Sequence, residues 1–469
     1  MQGRILSLSR ASNLIVAMLA VVSTLVGLVF LNGAQTYASG LVTPHTVNTR
    51  PQYVFAGIAQ PNATFGCQKA TAFVHCYGPQ QIRNAYNVQA ALNVGITGKG
   101  RTIVIVDAFQ SPTIANDLHM FDQTFGINDA TLNVIAPDGL TPFNQRDAGQ
   151  VGWAGEITLD VEWAHAIAPD ATIDLVLAKS NQDADLLSAT RFAVDHNLGD
   201  VISQSFGEAE SCVDPTILKQ EHQVFFEATL KHITLLASSG DQGAAQPTCD
   251  GNSFIKSVSS PASDPLVTAV GGTQLFADLT TGAYQSEVAW NEPDLFAGTG
   301  GGFSTIYHKP FYQIGTAGIG QFRGVPDISY NAAINGGVLA VWSTSGAGPN
   351  RVVLFGGTSA GSPQWAGITA LGSQMAHRRL GFLNLGLYIL GHTGFSAKTF
   401  HDITVGNNTF TFPDANGNSV TITGFDAKKG WDAATGWGSP NVAQLLPFLV
   451  QLTFPGDDAR TMSQLRDAH

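Results

Sequence analysis

The sequence predicts an α/β fold of the doubly wound type, in which a mostly parallel central sheet carries helices on both faces. Short, continuously apolar runs alternate with longer helical patterns along the chain, and such runs are typical of strands buried on both faces. With 469 residues and 44% hydrophobic content, the chain is also long enough to bury a large core.

The alternation is clearest between residues 101 and 243. Gly126 and Gly199 are expected to end two of the helices. In open sheets of this kind, sites form beyond the carboxyl ends of the strands, where Asp107, Ser205 and Asp241 are expected. The predicted strands are 101–109, 171–178, 200–207 and 234–243, and the predicted helices are 111–126, 153–170, 181–199 and 215–233.

The first 38 residues are predicted to be a signal peptide or a membrane anchor. An uncharged apolar run at 14–31 follows basic residues, and Ala38 closes a small-residue cleavage site. Eighteen apolar residues are almost enough to span a bilayer, so both interpretations stay open, beside a buried core helix. The rest of the chain is expected to divide into a linker or surface wrap (39–75), a folded domain (76–450) and a C-terminal tail (451–469).

The charge balance excludes several classes of partner. The chain carries 35 acidic and 23 basic residues, a formal net charge of -12, and only 12% of its residues are charged. Such a surface repels nucleic acid and anionic membranes, and few ion pairs would break at low pH. We therefore expect no nucleic-acid partner, tolerance of an acidic medium, and membrane contact only if the apolar N-terminal segment is retained.

Four cysteines fall as two close pairs, Cys67 with Cys76 and Cys212 with Cys249. Neither pair has the C-x-x-C spacing of a metal site, and export to an oxidising compartment would permit disulfides. Two local disulfides are therefore predicted, with free buried thiols as the alternative. Four cysteines allow three connectivities, among which the sequence alone does not choose.

The stretch FGGTSAGSPQWAGITAL at 355–371 places Ser359 between an apolar run and a helix whose first turn contains Pro363. A serine at a helix start lies beside spare backbone N–H groups that can hold an oxyanion. The alternative is that Ser359 only caps the helix. A nucleophilic serine needs a base, and none of the 12 histidines is followed by Gly-Thr, the context of one known type of histidine base.

The helical segment at 153–170 supplies acidic candidates instead. Glu156 and Asp160 are four residues apart, so a helix places both carboxyls on one face, and His165 lies about 180° away from Glu156. A solvated acidic edge is the alternative interpretation. Asp241 adds a third carboxyl in the turn SSGDQG, and once protonated it can donate a hydrogen bond to a developing oxyanion.

Together these motifs resemble the sedolisins, serine-carboxyl peptidases with a subtilisin-like fold and a Ser-Glu-Asp triad. GGTSAGSP is similar to the serine motif of that family, the Glu-x-x-x-Asp helix to its paired acids, and SGDQG to its oxyanion turn. The resemblance implies a subtilisin-like fold, with Ser359 as nucleophile, Glu156 as general base, Asp160 as its support and Asp241 as the oxyanion partner. It implies an acid-acting endopeptidase that forms an acyl-enzyme with protein or peptide substrates. We expect a monomer that is secreted, or anchored at the outer cell surface.

The resemblance also implies one structural calcium ion near the C-terminus. Hard oxygen ligands from two loops suit calcium and not zinc, and a plain Gly-Trp-Asp turn is the alternative. Lys428 stands where the family usually has glycine. The expected ligands are the carboxylates of Asp402 and Asp432 and the backbone carbonyls of Ile403, Lys428 and Gly430.

Three further expectations concern the surroundings of the site. Ser205, Phe206 and Gly207 are expected to bind substrate, and Asp107 stands where some relatives carry a glutamate that extends the acid network. The glycine-rich stretch 296–304 is expected to be a flexible rim loop, because no basic residue follows it to bind a phosphate.

Two other functions are alternatives to the peptidase. A catalytically silent binding module of the same fold is disfavoured because the serine and the acids are all intact. A neutral-pH subtilisin-like hydrolase is disfavoured by the missing His-Gly-Thr.

Overall fold

The computed structural model of the protein describes residues 45–47 and 52–453. The predicted signal peptide or anchor, with its apolar run at 14–31, lies outside the described residues, as does most of the predicted tail. Within the described part of the chain, no helix is both long and apolar enough to cross a membrane.

The secondary structure of the described residues alternates as the sequence predicts. The helices are α1 (Pro79–Ala85), α2 (Val88–Leu92), α3 (Ile114–Phe125), α4 (Ala148–Ile167), α5 (Asp183–Asp195), α6 (Pro215–Leu230), α7 (Gly361–Ala376), α8 (Asn384–Gly391), α9 (Ser396–Thr399) and α10 (Val442–Leu452). The strands are β1 (Gln52–Ile58), β2 (Cys76–Tyr77), β3 (Thr102–Ala108), β4 (Thr131–Ile135), β5 (Thr172–Ala178), β6 (Val201–Gln204), β7 (Glu208–Ala209), β8 (Thr234–Ser238), β9 (Ala245–Pro247), β10 (Phe254–Lys256), β11 (Ser259–Ser260), β12 (Thr268–Ala277), β13 (Tyr284–Ala289), β14 (Asn291–Glu292), β15 (Ala297–Gly298), β16 (Gly302–His308), β17 (Phe322–Val325), β18 (Ile328–Asn331), β19 (Gly337–Val341), β20 (Arg351–Gly356), β21 (Phe400–His401), β22 (Phe410–Pro413), β23 (Ser419–Ile422) and β24 (Ser439–Pro440).

An eight-stranded sheet forms the centre of the fold. Its strands follow the order β13-β12-β8-β6-β3-β5-β4, with β18 also paired to β12. All neighbouring pairs are parallel except β12 with β13. The prediction of a mostly parallel sheet is therefore confirmed, and the carboxyl ends of its parallel strands lie at one edge of the sheet.

Side chains of the central strands alternate between two separate cores. Ile105 of β3 packs in a cluster with Ile157 of α4 and Trp365 of α7, whereas the neighbouring Val104 packs in a second cluster with Leu186 of α5. Because successive strand residues point to opposite faces, the two clusters lie on the two faces of the sheet. Helices therefore cover both faces, as predicted.

Gly126 and Gly199 were each predicted to end a helix. Gly126 ends α3 with φ 66°, as predicted, but α5 ends at Asp195 with His196 as its C-cap, so the prediction for Gly199 is wrong. A Cβ on Gly199 would lie 2.6 Å from a methyl group of Val104, so this glycine permits a close approach to β3. Strands β6 and β8 also end earlier than predicted, which leaves the residues after them free to form the site.

The segment predicted to be an irregular wrap contains a strand. β1 pairs antiparallel with β20, with Gln52 opposite Gly356, in a four-stranded sheet of order β1-β20-β19-β2. The expectation of irregular structure is therefore wrong for residues 52–58. Its exposed apolar residues, such as Phe55, show no alternation that would have revealed the strand.

Both predicted disulfides are present. Cys67 is bonded to Cys76, and Cys212 is bonded to Cys249, so no cysteine of the chain is free. The alternative of free buried thiols is therefore excluded.

Candidate active site

Helix α4 carries two acids into the protein interior. Asp147 caps its start by accepting hydrogen bonds from two backbone N–H groups at 2.9 and 3.2 Å. Glu156 is 1% exposed and Asp160 is fully buried, so the alternative of a solvated acidic edge is wrong. His165 faces away from them, with its Nε2 3.0 Å from an oxygen of Asp122. The predicted separation of this histidine from the acids is confirmed.

Ser359 lies in a single tight turn between β20 and α7. Its hydroxyl donates a hydrogen bond to the carbonyl oxygen of Ser205 at 3.3 Å and lies close enough to Glu156 to lower the pKa of that carboxyl in part. Helix α7 receives no side-chain cap at its first residue, Gly361. The hydroxyl of Ser359 therefore faces the acids, and the alternative of a simple helix cap does not hold.

Three buried carboxyls form a continuous group behind Ser359. Burial raises the pKa of Asp107, Glu156 and Asp160 well above the ordinary range, and mutual repulsion raises each further. The repulsion acts on Glu156 from Asp160, on Asp160 from Asp107, and on Asp107 from Glu156. The nearby hydroxyls of Ser359 and Ser205 lower the pKa of Glu156 and of Asp160, respectively, only in part. The three groups cannot all be ionised together, so the set retains protons at a pH where exposed carboxyls have lost theirs.

Asp241 approaches the serine turn from the end of β8. Its Oδ1 accepts hydrogen bonds from the backbone N and the Oγ1 of Thr358, both at 2.8 Å. Burial raises the pKa of Asp241, although the two bonds from Thr358 lower it in part. Because both bonds fall on Oδ1, a proton on this carboxyl would reside on Oδ2.

Gly357 permits the close approach of Asp241 to the serine turn. Its φ is 122°, a conformation that favours glycine, and a Cβ at this position would lie 2.8 Å from Oδ2 of Asp241. The glycine that precedes Thr358 therefore serves both the backbone geometry and the position of the carboxyl.

The glycine-rich stretch expected to be a flexible rim loop is buried against the Asp241 turn. The backbone N of Gly300 donates to the carbonyl of Gly240 at 2.7 Å, and Ser239 Oγ donates to the carbonyl of Gly300 at 2.8 Å. A Cβ on Gly300 would lie 2.0 Å from the carbonyl oxygen of Ser239. The expectation is wrong, because these glycines permit backbone-to-backbone packing that positions Asp241.

The residues expected to bind substrate follow directly after β6 and lie beside Ser359. The Ser205 carbonyl accepts the Ser359 hydroxyl, the Phe206 ring lies 6.0 Å from that of Trp153, and a Cβ on Gly207 would lie 2.1 Å from a neighbouring serine Oγ. The structure therefore brings this triplet to the serine, while its role in substrate binding stays a prediction.

Comparison with known proteins assigns the chain to a family. The model of the subtilase family matches residues 148–383, which is just over half of the chain. The chain belongs to the subtilase family. Kumamolisin from Bacillus sp. (strain MN-32) is 31% identical over 398 residues, which cover 82% of this subtilase and 66% of kumamolisin. Sedolisin from Pseudomonas sp. (strain 101) is 32% identical over 379 residues, which cover 74% of this chain and 60% of sedolisin.

The solved structure of Pseudomonas sedolisin, a serine-carboxyl proteinase complexed with two molecules of pseudo-iodotyrostatin, is also similar. It matches 82% of this chain and 100% of its own with a TM-score of 0.69 and 28% sequence identity. This subtilase therefore belongs with the sedolisins, and the predicted subtilisin-like fold is confirmed. The chain spans 60 to 66% of the length of the two curated relatives.

The residues expected to bind calcium lie on two loops that contact each other. The backbone N of Gly430 lies 3.1 Å from both carboxylate oxygens of Asp402, so the two loops meet. Asp432 is 5% exposed and accepts a hydrogen bond from the backbone N of Lys428 at 2.8 Å. Burial raises the pKa of Asp432 to about 6 and also raises that of Asp402.

The chemistry of this group fits a hard cation. The carbonyls of Ile403, Lys428 and Gly430 accept no backbone hydrogen bond from any other residue in the described part of the chain. Three unpaired carbonyls beside two carboxylates are the oxygen-rich set that Ca²⁺ prefers, and a bound cation would offset the cost of burying Asp432.

Sequence reasoning missed two features of the site. Thr358 holds Asp241 through both its backbone N and its hydroxyl, and its position directly before Ser359 is the signal that could have indicated this role. His45, Asp183 and Glu208 form a second polar cluster, close to Phe206. They come from three distant segments, so no local pattern could have shown it.

Proposed function

We propose that this chain is an acid-acting serine-carboxyl endopeptidase. The observation that carries the proposal is the position of the Ser359 hydroxyl beside the buried carboxyl of Glu156, close enough to lower the pKa of that carboxyl in part. A serine hydroxyl is a weak nucleophile until a nearby base accepts its proton. Glu156 is that base, in the position that a histidine has in other serine hydrolases.

The reaction proceeds in two proton-balanced steps. Ser359 Oγ attacks the carbonyl carbon of the substrate peptide while Glu156 accepts the hydroxyl proton, and Glu156 then delivers that proton to the leaving amine. Water attacks the acyl-enzyme next, with Glu156 taking a proton from the water and returning it to Ser359 Oγ. Asp160 supports Glu156 in holding the transferred proton, because repulsion from Asp160 raises the pKa of Glu156. Asp107 is a third carboxyl, and it acts on Asp160 in the same way.

Asp241 supplies the oxyanion partner of this mechanism. The negative oxygen of the tetrahedral intermediate needs hydrogen-bond donors, and a protonated Asp241 Oδ2 donates while an ionised one repels. The raised pKa of Asp241 supports its protonated form in acid. Because ordinary carboxyls titrate at about pH 4, we place the activity optimum at about pH 3 to 5, and we expect activity to disappear toward neutral pH as Asp241 ionises.

Calcium and export complete the proposal. Asp402 and Asp432, with the carbonyls of Ile403, Lys428 and Gly430, would hold one Ca²⁺ that joins their two loops. Two disulfides are typical of an oxidising compartment, which supports a secreted or surface-anchored protein that acts on proteins or peptides, as a monomer.

The test is a set of single substitutions assayed at acid pH. Ser359→Ala and Glu156→Ala should each abolish peptide cleavage, and the double variant should be no worse, because the two groups act as one unit. Glu162→Gln is the matched control: this buried acid of α4 accepts the backbone N of Val341 at 2.8 Å, a bond that glutamine keeps. Substantial turnover by Ser359→Ala would refute the proposal.

A further inference from the structure

A short N-terminal segment lies beside residues 181–183, the extended segment that leads into α5. Residues 45–47 run antiparallel to it, and the middle residues of the two segments form a β-bridge. The backbone N of Val47 donates to the carbonyl of Asn181 at 2.8 Å, and that of Asp183 donates to the carbonyl of His45 at 3.3 Å. This is the geometry in which an extended peptide adds to an open edge.

The side chain of His45 lies against Asp183 and Glu208, two acids that line a small pocket. Its Nδ1 forms an ion pair with Glu208, and its Nε2 lies 2.9 Å from the carbonyl oxygen of Cys249. Asp183 is close enough for its carboxylate to lie within 4.8 Å of both His45 and Glu208. Both ring nitrogens of His45 face oxygen atoms, an arrangement that suits a side chain with two N–H donors.

The pocket is rich in acidic groups that no basic residue of its described lining balances. Glu221 also lines it, and among its described lining residues there is no lysine or arginine. Burial, followed by repulsion from Asp183, raises the pKa of Glu208 to about 9 and that of Glu221 to about 8. A cation in the pocket would favour the ionised form of these acids and relieve the repulsion between them, which is the physical basis for selecting a basic side chain.

The pocket is close to the proposed nucleophile. Phe206 lines it, and this residue follows Ser205, whose carbonyl accepts the hydroxyl of Ser359. Ser205 and Glu208 are three residues apart, so at most about 11 Å of extended chain separates them. About three extended residues are therefore enough for a peptide to reach from the pocket to the bond at Ser359.

The direction of a peptide on this edge follows from the chain itself. Val47 lies at the pocket, and Gln52, further along the chain, pairs with Gly356, which directly precedes the serine turn. The N- to C-terminal direction thus runs from the acidic pocket toward Ser359. A side chain in the pocket belongs to a residue on the N-terminal side of the cleaved bond.

We propose that Asp183 and Glu208 form a specificity subsite for a cationic side chain of an extended peptide, three or four residues before the cleaved bond. His45 occupies the subsite in this structure as a stand-in supplied by the chain. The assignment to a cleaved bond rests on the proposed function, in which Ser359 is the nucleophile, but the binding of the cationic peptide does not.

The test begins with binding, in the full chain that carries Ser359→Ala. Fluorescent hexapeptides would contain arginine, or its neutral isostere citrulline, at one of four positions. Arginine should bind about tenfold more tightly than citrulline at a single position, because a charge-assisted hydrogen bond in a buried pocket is lost with the charge. Asp183→Asn combined with Glu208→Gln should remove this advantage, and Asp195→Asn, at the exposed end of the same helix, should keep it.

The two proposals are separated by repeating the series with the unmodified serine. The ratio of kcat/KM for arginine over citrulline should show the same single position, three or four residues before the bond that is cleaved. His45→Ala should strengthen the binding of the arginine peptide, since it removes the competing side chain. An arginine advantage that is absent, or that survives the double substitution, overturns the subsite even if cleavage persists. Binding with the predicted preference but without cleavage leaves the subsite in place and refutes the peptidase.

Discussion

Asp241→Asn separates the two roles that a carboxyl can play at the oxyanion position. In the structure Oδ1 of Asp241 accepts two hydrogen bonds from Thr358, and Oδ2 faces Gly357. An asparagine keeps an oxygen for both bonds and places an NH₂ group where the protonated Oδ2 stood. The substitution therefore preserves the fold and a donor, and removes only the ability to ionise.

Asp241→Ala is the matched variant that removes the acceptor as well. The backbone N of Thr358 then loses its partner, while its hydroxyl retains the carbonyl of Gly240 at 3.2 Å. One buried donor left unpaired should lower the free energy of unfolding by about 1 to 3 kcal/mol. The loss of an oxyanion donor should lower kcat by about 100- to 1000-fold.

The assay is kcat against pH for a fluorogenic peptide, with melting temperatures as the stability control. In the unmodified protein kcat should fall as pH rises through the raised pKa of Asp241, because the ionised carboxylate repels the oxyanion. Asp241→Asn should retain activity within about tenfold at acid pH and lose this alkaline fall, while its melting temperature stays unchanged. An optimum above pH 7 in the unmodified protein, or an identical alkaline fall in Asp241→Asn, would refute the reasoning.

Three other predictions concern stability. Asp402→Ala, Asp432→Ala or a strong chelator should lower the melting temperature, because an ion that binds only the native state stabilises it; equal melting curves with and without Ca²⁺ would exclude the ion. Buried acids such as Glu208, with a pKa of about 9 against about 4 in an unfolded chain, bind more protons when folded, so stability should fall as pH rises from about 4 to 9. A melting temperature that climbs over that range would contradict the shifts. Replacing both cysteines of the Cys212 bridge should lower the free energy of unfolding by about 4 kcal/mol, and replacing those of the Cys67 bridge should lower it by about 2.5 kcal/mol. The larger loss follows from the longer loop, because the sequence separations are 37 and 9. A denaturant titration that finds the reverse order would contradict the loop-entropy argument.

Local periodicity explains why much of the fold was predictable. The β3 strand has an unbroken apolar run because both of its faces are buried, and α3 ends where Gly126 adopts a left-handed conformation. The four-residue spacing of Glu156 and Asp160 put both acids on one helix face whatever the rest of the chain did. These features depend on residues that are neighbours along the chain.

Glycine was the least predictable residue, because it permits several different structures. Gly199 was expected to end a helix but admits a neighbouring strand, and Gly300 was expected in a flexible loop but packs against a buried backbone. The same missing Cβ serves a left-handed turn or a close approach, and only the surrounding atoms decide which.

The sequence by itself determined which residues could take part in catalysis, since a serine before a helix, a paired-acid helix and an acidic turn are each local patterns. Only the tertiary structure decided that they meet: Ser359, Glu156 and Asp241 are more than 80 residues apart in every pairing, and the sheet brings them to one edge. Burial of α4 on all sides then sets the chemistry, because it raises the pKa of Glu156. A pKa shift of this kind depends on desolvation by the whole fold, which no local pattern encodes.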